Sequence, residues 1–231
     1  MGFSLPDNLV NLPEFFDKVR VFRDRQHAGE ILADMLREYG SSDAIVMAIP
    51  AGGVPVGKVL AEKLNLSFDL AVVSKITLPW NTEAGYGAVA FDGSVRLNHD
   101  LVARIGLTEK QIKEGIDKTS KKVAHRMRSL RGKRVLPNLS EQQVILVDDG
   151  LASGFTMRAA VEALKKIGAT SIVVAVPTGP RSSVERMTSE VDILYCANVR
   201  SGWSFAVAEA YERWSDVDEE ELASLLGGAL S

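Results

Sequence analysis

The 231-residue chain sets 27 Lys and Arg against 30 Asp and Glu, for a formal net charge of -3, and 46% of its residues are hydrophobic. It reads as an ordinary soluble globular protein with apolar material for one substantial core, a single domain over 1–231 with an appendage. The mildly acidic balance gives no global attraction to nucleic acid or to an anionic membrane, so any basic site has to be local.

The N-terminus lacks a basic segment followed by an apolar core and a cleavage site, and no apolar run approaches the ~18 residues of a membrane span. The expectation is a cytoplasmic protein without membrane contact. The stretch FRDR (22–25) either caps the helix that follows or seals a pocket. Residues 44–50 (AIVMAIP) and 68–74 (FDLAVVS) are nearly continuous apolar runs, as are 143–149, 171–177 and 191–197. Such runs are expected of strands in a parallel sheet covered on both faces. Between them, 54–65, 155–168 and 180–189 read as helices, with Gly168 as a stop signal. The alternation predicts an α/β fold, doubly wound around a mainly parallel sheet.

An insertion over about 77–140 interrupts this alternation. Its first part, TLPWNTEAGYG (77–87), reads as a loop able to close over a ligand, with Trp80 and Tyr86 either part of that closure or fixed packing residues. Residues 87–97 follow as two short strands joined by Asp92-Gly93, a favoured tight-turn pair. A long helix over 108–134 is entered by Thr108 with Gln111 three residues later, a capping-box spacing. It holds the one concentrated basic segment of the chain, including Lys121, Lys122 and Arg126. No aromatic platform is interleaved, which favours a solvated face over RNA binding. His27, His99 and His125 are scattered and suggest no metal cage. The single cysteine, Cys196, lies in an apolar run and reads as a buried thiol. A hood and helical segment is expected over about 198–231.

Two loops leave strands, enter helices and should share the carboxyl edge of the sheet, where open α/β sheets bind ligands. In the second loop, Ala152, Ser153, Gly154, Phe155 and Thr156 offer small side chains, hydroxyls and free N–H groups at a helix N-terminus, which favours a phosphate. Asp148 and Asp149 only accept hydrogen bonds when ionised, so they suit a pair of vicinal hydroxyls. Phosphate at one end and a diol at the other describe a ribose 5-phosphate. In the first loop, Ala51, Gly52 and Gly53 expose amides at close approach, as a pyrophosphate cradle requires.

VILVDDGLASGFT (144–156) resembles the signature of type I phosphoribosyltransferases, with Ser153 in place of a threonine. FRDRQHAGEILADML, AGGVPVGKVLAEKL, GAVAFDGSVRLNHDLV and FAVAEAYERW resemble an uncharacterised bacterial and archaeal group of the same family, so the likeness spans most of 20–220. The resemblance implies binding of phosphoribosyl pyrophosphate (PRPP) by Ala51, Gly52, Gly53, Lys75, Asp148, Asp149, Gly150, Leu151, Ala152, Ser153, Gly154, Phe155 and Thr156. It implies transfer of the phosphoribosyl group to a nitrogen acceptor, with Asp148, Asp149 and Lys75 as catalytic groups. Mg²⁺ would arrive on PRPP near Asp148 and Asp149, without a dedicated protein cage. The resemblance also implies a non-proline cis peptide at Pro50-Ala51, and a homodimer. Relatives usually carry Arg where this chain has Ala51, which removes a cation from the leaving group; either turnover is slow, or Lys75, ending the strand LAVVSK, and a basic residue elsewhere compensate. Ala152 weakens a 6-oxopurine assignment, and Trp203 and Phe205 are candidate walls of the acceptor pocket. The alternative is a protein that senses PRPP or a nucleotide without efficient transfer.

Overall fold

The computed structural model describes residues 6–132 and 134–227. Six strands form the main sheet: β1 (Leu9–Val10), β2 (Ile45–Ala48), β3 (Ser67–Leu70), β7 (Gln143–Val147), β8 (Ser171–Pro180) and β9 (Ile193–Arg200). They are all parallel and lie in the order β1-β9-β8-β7-β2-β3. The intervening β4 (Ser74–Leu78), β5 (Asn81–Val89) and β6 (Val95–Leu97) make a separate antiparallel sheet.

The continuous apolar runs have the expected cause. Along β7, Val144 and Leu146 belong to one core while Ile145 and Val147 belong to the core on the opposite face. The first core is closed by α5 (Phe155–Ile167) and α6 (Arg181–Thr188), the second by α1 (Arg25–Met35) and α2 (Gly53–Leu64). In α5, Met157, Ala160, Val161 and Leu164 recur at helical spacing and are all buried. The helix ends at Gly168, whose φ of 95° lies in the left-handed region that favours glycine.

Two expectations are corrected. Residues 68–74 are not one strand: β3 stops at Leu70 and β4 starts at Ser74 in the other sheet. The run stays apolar because it crosses between two cores, with Ala71 and Val73 in one and Leu70 and Val72 in the other. Residues 77–87 are not a closing loop but the hairpin of β4 and β5, turned at Pro79-Trp80. Gly85 and Gly87 resemble loop residues, yet each allows a close strand approach: a Cβ on Gly85 would lie 2.9 Å from Lys75 Cδ, and one on Gly87 would lie 2.8 Å from Ile76 Cδ1. Tyr86 is buried there, and Trp80 is exposed.

Helix α3 (His99–Ile105), capped by Asn98, precedes α4 (Glu109–Arg131), whose Thr108 and Gln111 form the expected capping box. Lys133, expected to belong to this helix, and residues 228–231 of the C-terminal segment lie outside the described residues. Arg131 at the end of α4 pairs with Asp69 of β3 in the interior, and Arg126 lies 3.6 Å from Glu219 at the start of α7 (Glu219–Leu226). Arg96 of β6 pairs with Glu162 of α5, holding the insertion against the main body. No described helix is long and apolar enough to cross a membrane.

Candidate functional site

β2 and β7 are direct neighbours, with Ala48 opposite Val147, and Ile49 N–H donates to Val147 O at 2.8 Å. The chain leaves both strands at the same level, so the two loops lie side by side at the carboxyl edge. The Pro50-Ala51 peptide is cis. A Cβ on Gly52 would fall 1.9 Å from Asp149 Oδ2, and one on Gly53 would fall 2.8 Å from Val147 O. Both glycines are therefore required by the approach of the aspartate loop; the Gly53 N–H donates to Ile49 O at 3.0 Å.

Asp148 and Asp149 are half-buried and arranged differently. Asp148 Oδ1 accepts from Asp149 N–H at 2.9 Å. Asp149 Oδ2 accepts from Arg25 Nε at 2.9 Å. Desolvation, followed by the neighbouring charge of Asp149, raises the pKa of Asp148 well above the usual carboxylate range. Desolvation also raises Asp149, with the Arg25 guanidinium opposing it. Both carboxyls are thus raised by burial, Asp149 against the opposing pull of Arg25 and Asp148 with the charge of Asp149 adding to it.

Arg25 stands at the first turn of α1, where Asp24 caps the helix by accepting from His27 N–H at 2.9 Å. Of the two expectations for FRDR the cap is observed, at Asp24; that Arg25 reaches the aspartates was not expected. The guanidinium lies 3.9 Å over the Trp214 ring, and its Nη1 donates to Ser215 O at 2.7 Å. Tyr211 Oη donates to Asp149 O at 2.6 Å. Burial, followed by the Asp149 charge, raises the Tyr211 pKa, so the phenol keeps the proton it donates. Val207 packs on Gly150, where a Cβ would meet it at 2.5 Å.

The 151–156 loop is shaped by Leu151, which is buried and donates its N–H to Thr178 O at 2.8 Å. Gly154 has a φ of 75°, which turns the chain into α5. Ser153 Oγ accepts from Phe155 N–H at 3.4 Å. The N–H groups of Ala152, Ser153, Gly154 and Thr156 have no hydrogen-bond partner among the described residues. Ala152 and Ser153 are exposed, and Phe155 and Thr156 half-buried. Free amides at the start of a thirteen-residue helix form an anion-binding end.

The remaining predicted residues lie elsewhere. Lys75 does not end a strand of the main sheet; it is exposed on β4, opposite Ala88, with its methylenes against Gly85. Trp203 is fully exposed, while Phe205 is half-buried. Cys196 is buried, and desolvation pushes its pKa up to about 12, so the thiol is inert. Among the described residues no group of three or more His, Cys, Asp or Glu could hold a metal ion. Sequence reasoning did not assign Arg25, Tyr211 and Trp214 to the aspartate pair; the only signal was the basic FRDR stretch and the aromatics of AYERW.

A family model described as Phosphoribosyl transferase domain matches residues 23–210. The chain is similar to the provisionally named phosphoribosyl transferase Rv0571c of Mycobacterium tuberculosis H37Rv, with 32% identity over 219 residues, 91% of this chain and 47% of that protein. The corresponding protein MT0597 of strain CDC 1551 matches at the same values. The chain spans about half the length of these curated relatives. Among solved structures it is similar to TT1426 from Thermus thermophilus, at 29% identity and a TM-score of 0.73, over 91% of this chain and 99% of that one.

Proposed function

Because the chain belongs to the phosphoribosyl transferase domain family, we propose that it transfers the 5-phosphoribosyl group of PRPP to a nitrogen of a nucleobase or related heterocycle, releasing pyrophosphate. One observation carries this reading: Gly52 of the first loop abuts the Asp149 carboxylate, while unpaired amides begin three residues further on. Three groups of donors and acceptors are thereby presented along one edge in the order that pyrophosphate, ribose diol and 5-phosphate require.

Asp148 and Asp149 bind the two ribose hydroxyls, the 151–156 loop binds the 5-phosphate, and the 51–53 loop binds pyrophosphate through the amides of Ala51 and Gly52. The donor set suits Mg²⁺ carried in on PRPP oxygens with several waters, because two adjacent half-buried carboxylates are enough for an ion that keeps part of its hydration shell. When bound, the ion neutralises charge on the pyrophosphate. Arg25 and Tyr211 hold Asp149 in place.

The test is to incubate the protein with PRPP, Mg²⁺ and a panel of bases and to measure pyrophosphate release. Tight PRPP binding without release across a broad panel would favour a second reading, a regulatory sensor of PRPP or a nucleotide. Ala51, which puts no cation in the first loop, is the observation that supports it. Salt-sensitive RNA binding lost on neutralising Lys121, Lys122 and Arg126 would support it further. A homodimer in the cytoplasm is the proposed setting, which light scattering and fractionation would check.

A further inference from the structure

The first loop offers pyrophosphate no charged side chain, since Ala51, Gly52 and Gly53 carry none. Yet the leaving group in the proposed transfer becomes more negative as the reaction proceeds. The C1–O bond to pyrophosphate breaks with its electron pair passing to the leaving oxygen. The acceptor nitrogen's pair forms the C1–N bond, and the acceptor's proton passes to water. Something has to meet the charge that accumulates on pyrophosphate.

Arg25 is a fixed cation beside this loop. Asp149 Oδ2 is the common point: it accepts from Arg25 Nε at 2.9 Å, and a Cβ on Gly52 would reach it at 1.9 Å. The guanidinium and the first loop therefore flank one oxygen atom. Arg25 also lines a cleft of about 470 Å³ with Pro55 and Lys58 of α2 and the carboxylates Asp24, Glu62 and Glu221, and the cleft reaches the helix turn that the first loop enters. Stacking on Trp214 and the bond to Ser215 O fix the plane of the guanidinium. Nη2 has no hydrogen-bond partner among the described residues, which leaves a donor for a second anion. Only 11% of the side chain is exposed, so its charge is weakly screened.

We propose that Arg25 supplies, from the start of α1, the cation that the first loop lacks at Ala51, and that it binds the pyrophosphate group of PRPP and stabilises its departure. The inference rests on the PRPP-site reading above and adds to it a residue that touches the leaving group.

The test is calorimetry with pyrophosphate, ribose 5-phosphate and PRPP, all with Mg²⁺, on the wild-type chain and on Arg25→Gln, Arg25→Lys and the double variant Arg25→Gln/Ala51→Arg. Arg25→Gln is expected to weaken pyrophosphate about tenfold or more, as loss of a charge-assisted contact should, and to weaken ribose 5-phosphate clearly less, since that ligand loses only the positioning of Asp149. Arg25→Lys keeps the charge without the planar fork and should lose part of the pyrophosphate affinity. Ala51→Arg should restore part of what Arg25→Gln loses. Equal losses for ribose 5-phosphate and pyrophosphate would overturn the inference, because Arg25 would then act only through Asp149. Unchanged pyrophosphate affinity would overturn it too. If Arg25→Gln does not fold, Arg25→Lys carries the same two-ligand comparison. A wild-type chain that binds none of the three ligands would remove the PRPP site itself and this inference with it, an outcome distinct from equal losses in a chain that binds.

Discussion

At the scale of single residues, the aspartate pair sets stability against binding. Asp148 is held in a site that raises its pKa by desolvation and by the charge of Asp149. A carboxyl whose folded pKa is raised contributes most to stability at acid pH, and that contribution is lost as pH climbs through the raised value. At neutral pH the ligand-free chain therefore carries a cost that Asp148→Asn removes. The variant should melt higher than wild type at pH 7, by about 2–4 °C for each kcal/mol relieved. The difference should close below pH 4, where the wild-type carboxyl is protonated in both states. The same variant should bind PRPP more weakly, since the amide is a poorer acceptor for hydroxyls. An unchanged or lower melting temperature at pH 7 would mean that Asp148 is better solvated than its packing implies. Gly52→Ala weakens binding by a different route. Its Cβ would displace a carboxylate pinned by Arg25 and by the Tyr211-bonded backbone. Calorimetry should find PRPP affinity reduced about tenfold or more, because a displacement of about 1 Å is costly in a positioned site.

At the scale of elements, the insertion is fastened to the sheet by a charge pair. Arg131 and Asp69 are 5% and 9% exposed, and Arg131 Nη2 also donates to Val135 O at 2.8 Å. Removing one partner strands the other without water, so Arg131→Ala should cost about 3–5 kcal/mol in urea unfolding. Arg131→Met combined with Asp69→Asn should cost clearly less. Equal costs would mean that lost packing, not the stranded charge, is responsible. The neighbouring segments explain what sequence reasoning recovers and misses. Runs such as 143–149 are legible because a strand covered on both faces must be apolar at every position. The same logic misreads 68–74, because a segment passing between two cores is equally apolar without pairing throughout. Gly85 and Gly87 mislead in the other direction, since a glycine that admits a neighbouring strand looks like one that makes a turn. Within the site, Asp148, Asp149 and the phosphate loop are legible because they are contiguous. Arg25 and Tyr211 lie 124 and 62 residues from the aspartate they hold, and nothing local marks that distance as closed.

At the scale of the whole molecule, the site is a junction between distant parts of the chain. Arg25 comes from the N-terminal helix, Gly52 and Asp149 from adjacent strands, and Tyr211 with Trp214 from the segment after the last strand. A ligand held there bridges the two cores, since the loops leave β2 and β7, whose side chains serve both faces. Binding should therefore stabilise the chain as one cooperative unit. At about a hundred times its Kd, PRPP with Mg²⁺ adds about 2.7 kcal/mol, which corresponds to about 5–11 °C in Tm. A single melting transition should move upward by that amount, and the shift should disappear in Asp149→Asn, which removes the charge that Arg25 meets and that we propose the ribose hydroxyls meet as well. Two transitions, only one of them sensitive to PRPP, would refute the bridging argument. In that case the insertion of β4 to α4 would melt independently of the sheet that carries the aspartates, and the Arg96 and Arg131 ion pairs would be too weak to couple them.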